Sequence, residues 1–356
     1  MSSHASPTPL KGLLKSFRQT KLAMTTYGLF QVHDSEEAKV EYELKNLSFF
    51  EYLTTATDLV CASIVFLHGL RGDVEKTWTK DDVLWPRDLL SQDVPESRIY
   101  LFGYDTSITQ RDPSRVANTE IHGDANDLCA KLSAERSSTN TDSRPIIFIA
   151  HSLGGLVAAQ VLVHGDQRAE ASSAEAIAKN VRGMIFLGTP FRGSPSARKA
   201  EAVRRILQVF GVNTQEHTLK LLGVDSERLD ELTRAFPEVL NKRRASKNPL
   251  DRIEAFFFYE TLKTKIGFGS TQIVEPESAQ IPGCGDAAPI RADHIGICKF
   301  KTQKDEGYGV VVAAIRKIMM PAGSEPQQGT KIINILGRAV NVAADDINIQ
   351  NQTVNF

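Results

Sequence analysis

The sequence predicts an α/β fold built on a mostly parallel sheet with helices packed on both faces. Three observations carry that expectation. Short, uninterrupted apolar runs rich in β-branched and aromatic residues recur along the chain, as strands buried on both faces require. Charged, periodic stretches separate them at the spacing of βαβ units. The 356 residues are 41% hydrophobic and 24% charged, the balance and length of one large domain with additional segments.

The chain divides into four parts. Residues 1–39 read as an N-terminal basic arm. They contain Lys11, Lys15, Arg18 and Lys21 and no acidic residue before Asp34. That composition overlaps with transit peptides and basic membrane-surface helices, although a disordered arm or surface helix is the plainer reading. Residues 40–320 form the main domain. Positions 40–56, with Val40, Tyr42, Leu44, Phe49, Phe50 and Tyr52, are expected to supply early edge strands. Buried strands are expected at 62–68, 98–104, 145–150, 183–187 and 253–259, with a weaker sixth at 272–274. Helices are expected at 119–134, 153–163, 196–244 and 310–320. The helical stretch at about 195–250 is read as a lid insertion roofing the site, with Leu207, Val209, Phe210, Leu219, Leu221 and Leu222 either lining an apolar cleft or anchoring the insertion to the core. Residues 321–330, rich in Pro, Gly, Ser and Gln, form a linker, and 331–356 form a separate tail.

Composition narrows the function classes. A net charge of −1 leaves no basic footprint for a nucleic acid. Cys61, Cys129, Cys284 and Cys298 are scattered, without metal-ligand or disulfide-framework spacing. Neither a phosphate-binding glycine loop nor a dinucleotide fingerprint is present, so no metal and no cofactor is expected. The chain carries no signal-peptide pattern and no apolar run of membrane-spanning length. A cytoplasmic protein with reduced thiols is expected, associating with a membrane surface on activation if at all.

Chemistry enters at Ala150-His151-Ser152-Leu153-Gly154-Gly155. A serine hydroxyl becomes a useful nucleophile when a base takes its proton and the backbone holds it exposed. A tight strand-to-helix turn flanked by small residues does the second of these. An apolar strand precedes Ser152 and a helix-forming run follows it, which favours a nucleophile over a plain helix cap. The first strand ends in His68-Gly69-Leu70-Arg71-Gly72. This loop supplies the second of two oxyanion N–H donors, Leu70, beside Leu153. His68 precedes the serine and is read as a brace for this loop, because the triad order on such a fold is serine, acid, histidine. Three histidines follow the serine. His164 lies on the helix leaving the elbow and His217 in the polar insertion, whereas His294 sits in a loop after the last strand and is the expected base. The acid must accept from the imidazole Nδ1–H. Glu260, at the end of a strand, is the first choice. Glu277 is the alternative, with Glu275 beside it. Asp293 adjoins the base in sequence, where side chains seldom face each other.

Together with Trp78, Trp85-Pro86, Phe186-Leu187-Gly188-Thr189-Pro190-Phe191-Arg192-Gly193-Ser194, Phe258-Tyr259-Glu260-Thr261 and Asp293-His294-Ile295-Gly296-Ile297-Cys298-Lys299-Phe300, these motifs resemble the lipase-like serine esterases of the α/β-hydrolase type. The subgroup they look most like is the serine-active-site-containing and GPI-inositol-deacylase-like hydrolases. The resemblance covers about residues 60–320. It implies the α/β-hydrolase fold and cleavage of an acyl ester, such as a lipid, by Ser152, His294 and Glu260. Ala150 and Phe191 depart from the pattern, since relatives often carry Gly and His there.

In the tail, Asn334, Asn341, Asn348 and Asn355 recur every seven residues, each flanked by β-branched or aromatic neighbours. Such residues disfavour a helix. One isolated copy cannot bury its apolar face, but stacked copies can, through asparagine ladders and steric zippers. A disordered tail or an added edge strand is the plainer reading. The segment resembles the sigma-type amyloid signalling motifs at the C-termini of fungal effectors. That implies self-assembly templated by an NLR-type receptor with a matching motif, and a role in programmed cell death. A non-catalytic effector on a hydrolase scaffold, or an acyltransferase, are the alternatives to an esterase.

Overall fold

The computed structural model describes residues 27–34, 61–104, 118–167, 172–191, 197–209 and 226–320. The expected strands at 40–56, the linker 321–330 and the tail with its four asparagines lie outside the described residues, as do His217, Phe210, Leu219, Leu221 and Leu222.

A seven-stranded sheet organises the domain, with strands β1 (Gly28–His33), β2 (Ser63–Leu67), β5 (Arg98–Gly103), β6 (Ile146–His151), β7 (Val181–Leu187), β8 (Glu254–Glu260) and β11 (Asp286–Ile290). Their spatial order is β1-β5-β2-β6-β7-β8-β11. Every neighbouring pair is parallel except the antiparallel edge pair β1–β5. The short pairs β3 (Thr79–Lys80) with β4 (Val83–Leu84) and β9 (Thr264–Ile266) with β10 (Gly269–Thr271) form separate antiparallel ribbons.

The central strands are apolar at consecutive positions because alternate side chains enter two different cores. Val65, Leu67, Phe102, Phe148 and Phe186 face one cluster, which α1 (Asn118–Ser138), α2 (Gly154–Gln167), α3 (Ser173–Ala178) and α5 (Ser226–Arg244) cover. Ile64, Phe66, Leu101, Ile149 and Leu187 face the other, closed by α6 (Glu306–Met319) and by Trp78 and Trp85. The Trp85 indole N–H donates to the Cys298 carbonyl at 2.9 Å, so a large buried aromatic keeps its one polar atom paired.

Four expectations need correction. The first strand, β1, lies inside the segment read as a basic arm, where its short run Leu29-Phe30-Gln31-Val32 was outweighed by composition. Residues 272–274 are not a strand; the β-branched Ile273 and Val274 suggested one, but they form a buried loop with a different task, described below. The final strand is Asp286–Ile290, overlooked because it contains Pro289. Proline is tolerated at a sheet edge, and β11 is the edge strand.

The fourth concerns the helical stretch over 196–244, of which the described residues form two helices, α4 (Ala197–Val209) and α5, that do different things. In α5, Leu232, Phe236, Val239 and Leu240 are buried in the same cluster as the sheet and α2. It is a core helix. The helix α4 instead carries Ile206 and Leu207 into a third, small cluster beside the elbow. Periodicity located the apolar face of each helix without saying which surface it covers.

Phe236 has no exposed surface and stacks on Phe191 at 5.4 Å between ring centroids. A lid helix tolerates truncation there; a core helix does not. Phe236→Ala is therefore expected to cost about 3–5 kcal/mol of stability, read as a lowered urea midpoint with an unchanged slope.

Candidate active site

The sheet topology prepares the site. The chain runs from β2 outward to β5 and then crosses back to add β6 on the other side of β2. The order of winding reverses at β2/β6, and it is at the carboxyl ends of strands at such a point that open α/β sheets place their sites. Two turns meet there: the loop after β2 and the elbow after β6. They touch closely enough to require glycine. A Cβ on Gly69 would sit 2.8 Å from that of Ser152, and one on Gly154 would come within 2.3 Å of the His68 carbonyl oxygen. On the other side, a Cβ on Gly155 would meet Thr189 Oγ1 at 2.1 Å.

Ser152 itself has φ 53°, a left-handed conformation that is costly for a residue with a side chain. The sharp turn is held from both sides. The Ser152 N–H donates to the Leu187 carbonyl at 2.9 Å, and that of Gly155 to the Ser152 carbonyl at 3.1 Å. Ala150 lies fully buried in β6, paired with Leu67 and Phe186, so the missing first glycine of the elbow leaves the turn intact.

From this turn the Ser152 hydroxyl lies 3.0 Å from His294 Nε2, and His294 Nδ1 lies 3.0 Å from Glu260 Oε2. The carboxylate can only accept, so Nδ1 carries the proton and Nε2 is left to accept from the serine. The other carboxylate oxygen, Oε1, accepts from the backbone N–H of Ile273 at 3.1 Å and of Val274 at 2.8 Å. The loop mistaken for a strand is the cradle of this carboxylate. Gln272 adds a side-chain bond to the Glu260 carbonyl at 2.8 Å. Burial is nearly complete: Ser152 is 1% exposed, and Glu260 and His294 are 0%.

Glu277 and Glu275 are exposed, and Glu275 pairs with Arg205 at 2.9 Å. The structure does not bring either near the imidazole. Asp293 Oδ1 accepts from the Gly296 N–H at 2.8 Å and shapes the His294 loop. His164 lies elsewhere, 2.7 Å from His122. His68 braces its loop as expected. It stacks on Tyr104 at 4.4 Å, and the Tyr104 hydroxyl donates to its carbonyl. Burial pushes its pKa down, which keeps the ring neutral. Leu70 and Leu153 flank the serine and share the small apolar cluster of Ile206, Leu207, Ile273 and Val274. Phe191 packs among Phe186, Phe236 and Phe257, so the departure from His at this position is an aromatic core contact.

Two residues that sequence reasoning passed over hold His294 in place. The Thr264 hydroxyl accepts from the His294 backbone N–H at 3.0 Å. His151 Nε2 lies 2.8 Å from the His294 carbonyl and must donate to it. The elbow motif leaves the position before the serine open, which gave no reason to single His151 out. Gly188 completes the enclosure: at φ 62° it passes so near that a Cβ would lie 3.0 Å from Glu260 Oε2.

No group of three or more potential metal ligands occurs among the described residues, and no described helix is long and apolar enough to cross a membrane.

The match to one protein family agrees with this architecture. The model of the alpha/beta hydrolase family matches residues 64–266. Human protein SERAC1 is 29% identical over 277 residues, covering 72% of this chain and 39% of the relative; the bovine protein is 30% identical over 258 residues, covering 67% and 36%. The chain thus spans well under half the length of these curated relatives. Among solved structures, a Pyrococcus furiosus esterase aligns with TM-score 0.42 and 14% identity over 72% of this chain and 82% of its own. A soluble variant of Saccharomyces cerevisiae monoglyceride lipase aligns with TM-score 0.40 and 11% identity over 73% and 86%.

Burial, then the nearby His294, pushes the His151 pKa down to about 3. A histidine in the unfolded chain titrates near 6.5. Below that pH the unfolded state takes up a proton that the folded state refuses, so this residue's contribution is present above about pH 6.5 and is lost as pH falls toward 3. His151→Gln, which keeps an N–H donor, is expected to show a shallower loss of stability over that window. Urea midpoints of both proteins, measured from pH 7 to pH 4, check this.

Proposed function

The chain belongs to the alpha/beta hydrolase family, and from that premise we propose that it is a serine ester hydrolase in which Ser152 is the nucleophile, His294 the general base and Glu260 the acid that orients it. One observation carries this reading: the continuous relay from Ser152 Oγ through the His294 ring to Glu260, with both links at 3.0 Å.

The arrangement performs acyl transfer as follows. The serine oxygen attacks the ester carbonyl carbon while its proton passes to His294 Nε2. The imidazolium so formed is stabilised by Glu260. The carbonyl oxygen becomes an oxyanion and meets the backbone N–H groups of Leu70 and Leu153. Collapse of this intermediate breaks the bond to the alcohol oxygen, which leaves with the proton from His294. Water then repeats the sequence on the acyl-enzyme and releases the acid. Beside the serine, Leu70, Ile206, Leu207, Ile273 and Val274 are all buried. This apolar surrounding favours an ester with a hydrocarbon acyl group, such as a lipid, whose chain would enter by displacing some of these contacts.

Ser152→Ala is expected to abolish both hydrolysis of p-nitrophenyl esters and labelling by a fluorophosphonate probe. Glu260→Gln retains the shape of the pair but loses the charge, and is expected to lower kcat by roughly 10³–10⁴-fold, whereas Glu277→Gln leaves it unchanged. Wild-type protein inert to both reagents overturns the reading in favour of a non-catalytic scaffold, and acceptor-dependent product in place of free acid makes it an acyltransferase.

We further propose that the tail assembles with copies of itself, bringing hydrolase domains together when signalling is triggered. The support is the asparagine repeat at 334, 341, 348 and 355. A 331–356 peptide is expected to form thioflavin-positive fibrils with a reflection near 4.7 Å; one that stays monomeric at high concentration overturns this.

A further inference from the structure

Of the five large hydrophobic side chains exposed among the described residues, three surround the loop that carries His294: Leu262 at 46%, Phe268 at 114% and Ile295 at 40%. They are tied together by backbone. The Leu262 N–H donates to the Ala292 carbonyl at 3.1 Å, and Ile295 directly follows His294. Phe268 stands at the tip of the β9–β10 ribbon, whose first residue, Thr264, accepts from the His294 N–H. Ile266 pairs with Gly269, so Gly267 and Phe268 alone make the turn, with Gly267 at φ 56°. Glycine at the first of two hairpin-turn positions satisfies that angle without strain. A Cβ built on Gly267 meets nothing within 4 Å. The turn therefore projects a bare phenyl ring into solvent.

Its surroundings are cationic. Lys263, Lys265 and Arg291 are exposed, and none of them forms an ion pair among the described residues. The neighbouring acid Asp293 is engaged with the Gly296 N–H. Among the described residues, three cations without an ion pair thus lie on the ribbon of the most exposed aromatic and on the neighbouring His294 loop, in a chain of net charge −1.

We propose that this hairpin docks the protein on an anionic phospholipid surface, Phe268 entering the acyl boundary while Lys263, Lys265 and Arg291 lie among the headgroups. A convex apolar tip suits a deformable medium better than a protein pocket, and a ring of cations matches the negative leaflet. Docking there sets the His294 face of the molecule against the bilayer. The inference deepens the ester-hydrolase reading but rests on it only for what is cleaved, not for the docking.

The test uses the full chain carrying Ser152→Ala, so that lipid turnover plays no part. It is co-sedimented with vesicles of phosphatidylcholine, with and without phosphatidylglycerol. Binding to the anionic vesicles that weakens with added salt is expected. Phe268→Ser should weaken it by about tenfold or more, the loss of one buried phenyl ring. Lys263→Glu with Lys265→Glu should remove the preference for phosphatidylglycerol. Unchanged Tm values check that both variants fold. Phe268→Ser binding vesicles as tightly as its parent overturns the proposal, because binding then resides elsewhere, as in the basic N-terminal residues. A change in oligomeric state by sedimentation velocity, with vesicle binding unaffected, overturns it in favour of an interface between copies.

Discussion

A carboxylate with no access to water must be surrounded by donors, and the architecture of this domain around its site follows from meeting that requirement at Glu260. An ionised group in a low-dielectric interior is tolerable only when paired and hydrogen-bonded. Glu260 receives two backbone N–H groups and one imidazole N–H. The two backbone donors fix the conformation of Ile273 and Val274, which cannot serve both the carboxylate and a strand ladder. The imidazole is held in turn at its backbone N–H by Thr264 and at its carbonyl by His151. Gly188 is excluded from carrying a side chain by the same pair. One buried charge thus constrains residues on β6, β8, β9 and three loops.

The elbow is the complementary constraint. Ser152 occupies a strained backbone conformation, and strain persists only where the surroundings over-determine it. Here they consist of β2 and β7 flanking β6 in the middle of the sheet, with Gly69, Gly154 and Gly155 removing every side chain that would push the turn open. The loop that carries His294 is tied to strands through Thr264 on β9 and His151 on β6, and these bonds set its distance from Ser152. The relative placement of the two residues is therefore as well determined as the packing of the two cores on either side.

How much of this was legible in the sequence depended on whether local pattern and final environment agreed. Ser152 and Glu260 could be chosen because each ends or follows an apolar run, and runs such as Ile146–Ala150 have no other stable use than a buried strand; His294 was chosen by its late place in the chain, after the serine and the acid. The cradle was not legible: Ile273 and Val274 have strand-like side chains, and only the presence of a buried carboxylate opposite makes a loop the better state. The strand Asp286–Ile290 was hidden by Pro289, whose cost vanishes at an edge that sequence alone does not locate. His151 and Thr264 act through the backbone of His294, a kind of partnership that leaves no motif. The helix α5 showed its apolar face plainly, but α2 and the sheet as its destination required the tertiary structure.

The segment that leaves β8 joins these themes. It begins with Glu260, provides the threonine that holds the His294 backbone, turns outward at Gly267 and Phe268, and returns as the cradle of the same carboxylate. A buried polar network and an exposed apolar tip are therefore parts of one short stretch of chain, linked by the two-stranded ribbon. Stabilising the buried end fixes the orientation of the exposed end, because the ribbon pairs residue by residue from Thr264 to Thr271. The converse also holds: a surface that captures Phe268 and the neighbouring lysines necessarily orients the His294 loop, since Thr264 connects the ribbon to His294 through a single hydrogen bond. The buried hydrogen-bond network and the orientation of the exposed tip are in this way set by the same residues.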